Sequence, residues 1–329
     1  MNRRRLITGA ITFATAINVV PRSVFGQEPA SAYPTKSIRL IVPYAAGGGT
    51  DLLARTWAQV LQEELGQSVI VENMSGVNGV IGTSFAAKAA PDGYTLYIAT
   101  YGFPVTPLLM SNPQYAVSDF APVIRTGSSP LVLVVSPDSP IKSVPDLIAA
   151  ARAKPGVLNV GTLGDGSQEQ MGAQKFQSIA GVKFTEIPYK GGAPAITDLM
   201  ANNIQLVFEG LPTVMGYIKA GRLRPIGVAG LSRSSQLPDV PTLDEQGVKG
   251  MEVYSWTAFL VPARTPRPII NKLNAAFRMG LANPAISGKI AQSFGSDPIG
   301  GSPEDLAEFI AARTRENVEL IKSLGIRPQ

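Results

Sequence analysis

The sequence predicts an α/β fold built as two doubly wound domains, and three observations carry that prediction. Short apolar runs alternate with segments whose apolar residues recur at helical spacing. Glycine-rich turns at 47–49, 76–79, 164–166 and 190–192 each follow an apolar run. The same order occurs in two successive halves, and a further run with helical segments follows, so the chain is expected to leave its first domain, build a second and return.

Taken in order, residues 38–42 form an apolar run that stops at Pro43, and Gly47, Gly48 and Gly49 follow. A helix capped by Gly49 or Thr50 is predicted to about Leu65, with Gly66 as its stop. Its apolar residues Leu53, Trp57, Val60 and Leu61 are spaced by three and four, which puts them on one inward face. A second strand at 68–71, the glycine turn at 76–79, a helix to about Ala90 and a third strand at 94–99 complete the unit. These runs are nearly continuous in apolar residues, as expected of a parallel sheet covered on both faces.

The most apolar strand is 131–135, and the passage between domains is placed near 125–135. Ser143, Pro145 and Asp146 mark a helix start. Strands are then expected at 158–161, 183–187, 205–208 and 224–229, with helices after the turns at 164–167 and 190–192 and after Glu209-Gly210. Residues 231–250 read as a return linker, and 254–261 as a strand. Helices at 266–281, 284–294 and from Ser302 to about 324 form a tail that completes the first domain. The expected division is a signal segment at 1–26, a first domain from 27–130 with 251–329, and a second domain at 131–250.

Composition narrows the function classes. Arg3, Arg4, Arg5 and Arg22 lie in the first 26 residues, where there is no acid; of 29 basic residues, 25 remain against 24 acidic ones, and no nucleic-acid footprint survives. Arg3 to Arg5, the mildly apolar stretch at 6–20, and Val24 with Gly26 read as a cleavable export signal, general or twin-arginine, that is too short to anchor the chain in a bilayer. A freely soluble periplasmic chain is the expectation. Cys and His are both absent. That excludes disulfides, thiol nucleophiles, the usual catalytic triads and His or Cys metal sites. No enzyme, cofactor or metal is expected, and a monomer is.

In open sheets, ligands sit beyond the carboxyl ends of the strands. The glycine turns all fall there, so two facing edges would line a cleft with helix N-termini and free amides, which favour an anion. Gly47-Gly48-Gly49-Thr50 lacks the lysine of a P-loop, and Gly161, Gly164 and Gly166 have the wrong spacing for a dinucleotide fingerprint. Asp51, Asp165 and Glu209 offer oxygens to a metal, or serve at helix starts.

Three stretches then carry a resemblance: Pro43-Tyr44-Ala45-Ala46-Gly47-Gly48-Gly49-Thr50-Asp51, Ala89-Ala90-Pro91-Asp92-Gly93-Tyr94-Thr95-Leu96 and Pro188-Tyr189-Lys190-Gly191-Gly192-Ala193-Pro194. With Ala220-Gly221-Arg222-Leu223-Arg224 and Pro238-Asp239-Val240-Pro241-Thr242, the chain resembles the substrate-binding proteins of tripartite tricarboxylate transporters, the Bug receptors, along its mature length. The resemblance implies a type II periplasmic binding fold, with two doubly wound α/β domains joined by a two-strand hinge. It implies closure on an organic acid, di- or tricarboxylic, aromatic or amino-bearing, for delivery to membrane permease subunits. A ligand-sensing role toward a membrane signalling protein is the alternative.

It further implies that Tyr44, Ala46, Gly47, Gly48, Gly49, Thr50 and Asp51, with Gly76, Asn78 and Gly79, hold a carboxylate chiefly on backbone amides. Thr162, Asp165, Ser167, Lys190, Gly191 and Ala193 would contribute from the second domain through ordered water. Tyr101 and Glu209 complete the expected lining. The chain departs from the family pattern at Val80, at acidic Asp165, near Gln170 where a His is frequent, and at Glu209 where an Asp is usual. Glu209 or Asp165 would accept a hydrogen bond from an amino or hydroxyl group of the ligand, or else cap a helix or face water. Tyr44, Tyr101 and Phe103 would stack on an aromatic acid or fill the rim around an aliphatic one. Lys190 would neutralise a second carboxylate or serve only in its turn.

Overall fold

A computed structural model of the chain describes residues 32–76, 79–164, 166–189, 191–294, 297–323 and 328. The expected export segment lies outside them, as do Asn78, Asp165 and Lys190. The first apolar runs pair in parallel. Strand β1 (Ile38–Val42) is followed by helix α1 (Gly49–Leu65), β2 (Val69–Asn73), α2 (Val80–Ala87), β3 (Thr95–Ala99) and the one-turn α3 (Gly102–Val105), and β1 lies between β2 and β3. Alternate residues of these strands enter different cores, Leu40, Leu96 and Ile98 on one face and Ile41, Tyr97 and Ala99 on the other. Burial on both faces is why the runs carry so few polar residues. Helix α1 buries Leu53, Trp57, Val60 and Leu61 as their spacing requires.

The chain then leaves along β4 (Phe120–Val135), one strand of 16 residues. It builds α4 (Val144–Ala153), β5 (Asn159–Thr162), α5 (Gln168–Ala180), β6 (Thr185–Pro188), α6 (Gly192–Met200), β7 (Leu206–Gly210), α7 (Leu211–Lys219) and β8 (Arg224–Val228). Strand β5 pairs in parallel with β6 and β7. The Ser143 hydroxyl accepts the Asp146 N–H at 3.2 Å and caps α4. A second pair of cores lies on the two faces of this half, with Leu131, Leu133 and Val135 in one and Val132 and Val134 in the other.

The return strand β9 (Tyr254–Pro262) inserts between β3 and β4, antiparallel to both. Helices α8 (Arg267–Ala282) and α9 (Pro284–Phe294), strand β10 (Asp297–Pro298) and helix α10 (Pro303–Ser323) follow. Phe259 of β9 and Phe277 of α8 meet the Trp57 ring at centroid distances of 6.1 and 5.1 Å. Such pairs each add about 0.5–1.5 kcal/mol beyond the area they bury. The tail is thereby packed into the first half.

Strand β4 belongs to both sheets. Residues from Phe120 to Pro130 pair with β9, and those from Leu131 to Val135 pair with β7 and β8. Pro130 faces Tyr254 across the ladder, and the Leu131 N–H donates to the Val253 carbonyl at 3.0 Å, so the outgoing and returning segments cross side by side. Only the end of β4 is foreseen by the sequence. Its first part contains Pro122, Pro130 and polar residues such as Thr126, Ser128 and Ser129, and the long-range ladder to β9 makes it a strand. The sheets are also mixed, because β4 and β9 run against their neighbours; apolar periodicity carries no information about strand direction.

Candidate functional site

Two adjoining cavities lie between the halves, of about 320 and 260 Å³, and share Thr50, Gln168 and Ser255 in their walls. The first is bordered by Tyr44, Thr50, Tyr101, Ser167 and Glu169 among others, and the second by Gly49, Thr50, Ser129, Glu209 and Thr213. Together they form a cleft with the start of α1 on one side and the starts of α5 and α7 on the other. Its floor comes from the crossing strands, through Ser129 of β4 and Ser255 of β9.

The loop after β1 is shaped from within. Gly47 has φ +82°, a left-handed conformation that glycine adopts without a steric penalty. Its N–H donates to Asp51 Oδ2 at 2.8 Å. The same carboxylate accepts from Arg55 Nε at 3.1 Å and from Asn73 Nδ2 at 3.0 Å, and Asn73 Nδ2 also reaches the Tyr44 carbonyl. Asp51 is 2% exposed. Burial opposes its charge, but the Gly47 amide, Arg55 and Asn73 together hold its pKa below the usual range. Asp51 thus braces the loop, and the Gly47 amide is already engaged. Helix α1 begins after Gly48 with no side-chain cap, so its first-turn amides at Gly49 and Thr50 open into the cleft wall. The Tyr44 hydroxyl meets Thr100 Oγ1 at 2.8 Å, which fixes the ring at the rim.

Several expected residues lie elsewhere. The Gly79 N–H closes a turn on the Gly76 carbonyl at 3.0 Å, and Gly79 packs against Pro43; neither glycine borders the two cavities. Thr162 is buried at the end of β5, where its carbonyl accepts the Tyr189 N–H. Gly191 precedes α6 and Ala193 is exposed in its first turn, both outside the linings. Ala46 and Gly48 are exposed in the loop. Tyr101 borders the cleft and donates to Asn317 Oδ1 of α10 at 2.9 Å. Phe103 does not reach the rim: it is 3% exposed and stacked with Tyr115 in the core.

On the opposite side the charges have a different sign. Ser167 caps α5 by accepting the Gln170 N–H at 3.1 Å, and Glu169 follows in the first turn, 3% exposed. Its Oε1 accepts from Gln168 at 3.0 Å. Burial raises the Glu169 pKa against these hydrogen bonds. Glu209, at the end of β7, is also 3% exposed; its Oε1 accepts the Gly210 N–H at 2.9 Å, while Oε2 has no hydrogen-bond partner among the described residues. Burial, and then the nearby charge of Glu169, push Glu209 up to about 8 against hydrogen bonding from the Gly210 amide and the Thr213 hydroxyl. The site therefore includes Thr100, Gln168, Glu169, Ser129 and Ser255, none of which the sequence singled out. Glu169 lies two residues beyond the Ser167 cap, a position that a search of first helical turns for acids would have found. The serines are on the crossing strands, away from any glycine turn.

A cleft between two α/β halves, crossed twice by the chain and lined by helix starts, defines a periplasmic-type solute-binding protein. The solved structure of Rpa4515 from R. palustris with adipate is similar: 36% identity and TM-score 0.81, covering 90% of this chain and all of that one. MatC from Rhodopseudomonas palustris with bound malate shows 26% identity and TM-score 0.76 over 88% of this chain and all of its own. Protein BugT of Bordetella pertussis is 35% identical over 331 residues, 99% of each chain. The family model described as "Tripartite tricarboxylate transporter family receptor" matches residues 53–326. The chain belongs to this TctC family of receptors and has the type II periplasmic binding fold expected from its sequence. It is a solute-binding receptor and not an enzyme. No helix among the described residues is long and apolar enough to cross a membrane.

Proposed function

We propose that this receptor captures a small organic carboxylate in the periplasm and presents it to the membrane permease of a tripartite tricarboxylate-type transporter. The observation that carries this reading is the uncapped start of α1 in the wall of the cleft, held open by the Asp51 brace. A helix start stabilises an anion by roughly 0.3–1 kcal/mol when exposed and up to about 2 kcal/mol when partly buried. The adipate and malate bound to Rpa4515 and MatC are small carboxylates that support the same class here.

Binding works by closure. The moving bodies are residues 27–130 with 251–329, and residues 131–250, joined where Pro130–Leu131 and Val253–Tyr254 cross together; the separate sheet partners on either side of that point support this division. A ligand held by α1 on one side and by α5 or Glu209 on the other has higher affinity for the closed form, and shifts the equilibrium by that difference. Residues 1–26 are read as the export signal that brings the chain to the periplasm. The test is a thermal-shift screen of protein unfolded and refolded to strip bound ligand, against aliphatic, aromatic and amino carboxylates, with neutral sugars as controls. Carboxylates are expected to raise Tm by mass action; stabilisation by sugars alone would overturn the reading.

A further inference from the structure

The two ends of the smaller cavity have opposite character. Gly49 and Thr50 present first-turn amides of α1 at one end, while Glu209 borders the same space from the end of β7. Glu169 borders the adjoining cavity, and Gln168 lies in both walls with its amide on Glu169. Among the described residues no Lys or Arg lines either cavity. Two buried carboxylates thus share one side of the cleft with no cation among the described lining residues, an arrangement that disfavours ionisation of both.

The second observation is the orphaned oxygen. Glu209 is 3% exposed and its Oε2 is fully buried without a hydrogen-bond partner among the described residues. The start of α6 packs against it: a Cβ built on Gly192 would lie 2.6 Å from Oε2, so a larger residue there would displace the carboxylate. Yet among the described residues no amide of that helix start donates to Oε2. A buried carboxylate oxygen that lacks a donor destabilises the unliganded site. The deficit disappears when a ligand brings the donor.

We propose that Glu209 and Glu169 form a subsite for a protonated amine, and that the receptor takes an aminocarboxylate whose carboxylate lies at the start of α1 and whose ammonium group reaches the glutamate pair. This rests on the carboxylate reading above and narrows it. An ammonium group supplies three donors and one positive charge, which meets the orphaned oxygen and relieves the repulsion between the acids. A dicarboxylate of equal length would bring a further acidic group beside the pair and no donor when ionised. The groups facing the pair from other elements are the Thr213 hydroxyl of α7 beside Glu209, which favours its charged form, and the hydroxyls of Tyr44 and Tyr101, each close enough to interact electrostatically with Glu169. None of the three supplies a positive charge.

The test is calorimetric titration of the refolded, ligand-free protein with length-matched pairs: succinate and 4-aminobutyrate, glutarate and 5-aminopentanoate, adipate and 6-aminohexanoate, with butyrate and butylamine as single-ended controls. The aminocarboxylate of at least one pair is expected to bind 10-fold or more tightly than its diacid. Glu209→Gln is expected to lose at least 10-fold for that ligand while diacid affinity stays level or improves, and Glu169→Gln, as a second variant, is expected to lose in the same direction. Diacids binding more tightly throughout, with both variants leaving the preference unchanged, would overturn the subsite. Butyrate matching 4-aminobutyrate would do the same while leaving the carboxylate receptor intact. Butylamine binding that depends on Glu209, with no affinity for butyrate, would keep the subsite and refute the carboxylate reading.

Discussion

The turn after β1 and the walls after β5 and β7 use one device, a strand end followed by a helix start, with opposite electrostatic results. At the first, the buried Asp51 carboxylate is fully partnered by the Gly47 amide, Arg55 and Asn73, so its charge is spent inside the loop and the helix amides face the cleft. At the second, Glu169 and Glu209 are equally buried, no cation from the cleft lining meets them among the described residues, and Glu209 keeps an oxygen without a donor. The backbone geometry is shared. What differs is whether the buried acid is neutralised by its own half of the molecule. A receptor can in this way build a donor wall and an acceptor wall from the same α/β unit.

Breaking the partnered side should have the largest effect. Asp51→Ala removes three hydrogen bonds, two of them to backbone or amide donors that hold the loop, and takes the carboxylate from the Gly47 amide, Arg55 and Asn73 together. A loss of about 3 kcal/mol in denaturant stability is expected, together with loss of carboxylate binding. An unchanged denaturation midpoint would show that the loop holds itself. Because the Asp51 pKa is depressed by folding, its contribution is present above the carboxyl pKa of the unfolded chain and fades as pH falls through the lower folded value. Wild type and Asp51→Ala should therefore converge in stability in acid.

The acidic side should respond in the other direction. Glu209 has a pKa raised to about 8, so between the unfolded carboxyl value and about 8 the folded protein binds the extra proton and stability declines as pH rises. Glu209→Gln removes that decline. The variant is expected to be more stable than wild type by a few kcal/mol at pH 9, at about 1.4 kcal/mol per pKa unit, and nearly equal to it at pH 4. Melting curves across this range decide the matter; parallel curves would place the titration elsewhere.

Smaller effects sharpen the comparison. Gly48 has φ −76°, a value proline shares, so Gly48→Pro deletes an amide without forcing the loop into a new shape. Carboxylate affinity should fall about 10-fold, or 1.4 kcal/mol, with little change in Tm. Equal affinity would confine the anion contact to Gly49 and Thr50. Tyr44→Phe removes only the bond to Thr100 and should cost about 1 kcal/mol of stability in a thermal melt, with binding less affected.

Much of the fold was legible because the sequence repeats its signals locally. The spacing of Leu53, Trp57, Val60 and Leu61, the Ser143 cap and the glycine turn at 47–49 each report on a few neighbouring residues, and each lies where expected. The site was legible in part. Tyr44, Gly49, Thr50, Tyr101, Ser167 and Glu209 border the cleft, but Gly76, Gly79, Thr162, Gly191 and Ala193 follow the same turn pattern without reaching the two cavities. Turn chemistry identifies a strand end; it does not say which strand ends face each other.

By itself, then, the amino-acid sequence determined the alternation of strands and helices, the absence of His and Cys chemistry and the family of receptors. These follow from short-range periodicity, composition and motif. Tertiary structure decided that residues 120–135 form one strand shared by two sheets, because its polar first part is held by ladders to β9 and, at Gly127 and Ser128, to β10, both more than 100 residues away. It also decided that Asp51 braces a loop while Glu209 keeps an unmet oxygen. A carboxylate's role depends on which groups reach it through space, and those partners come from separate segments of the chain.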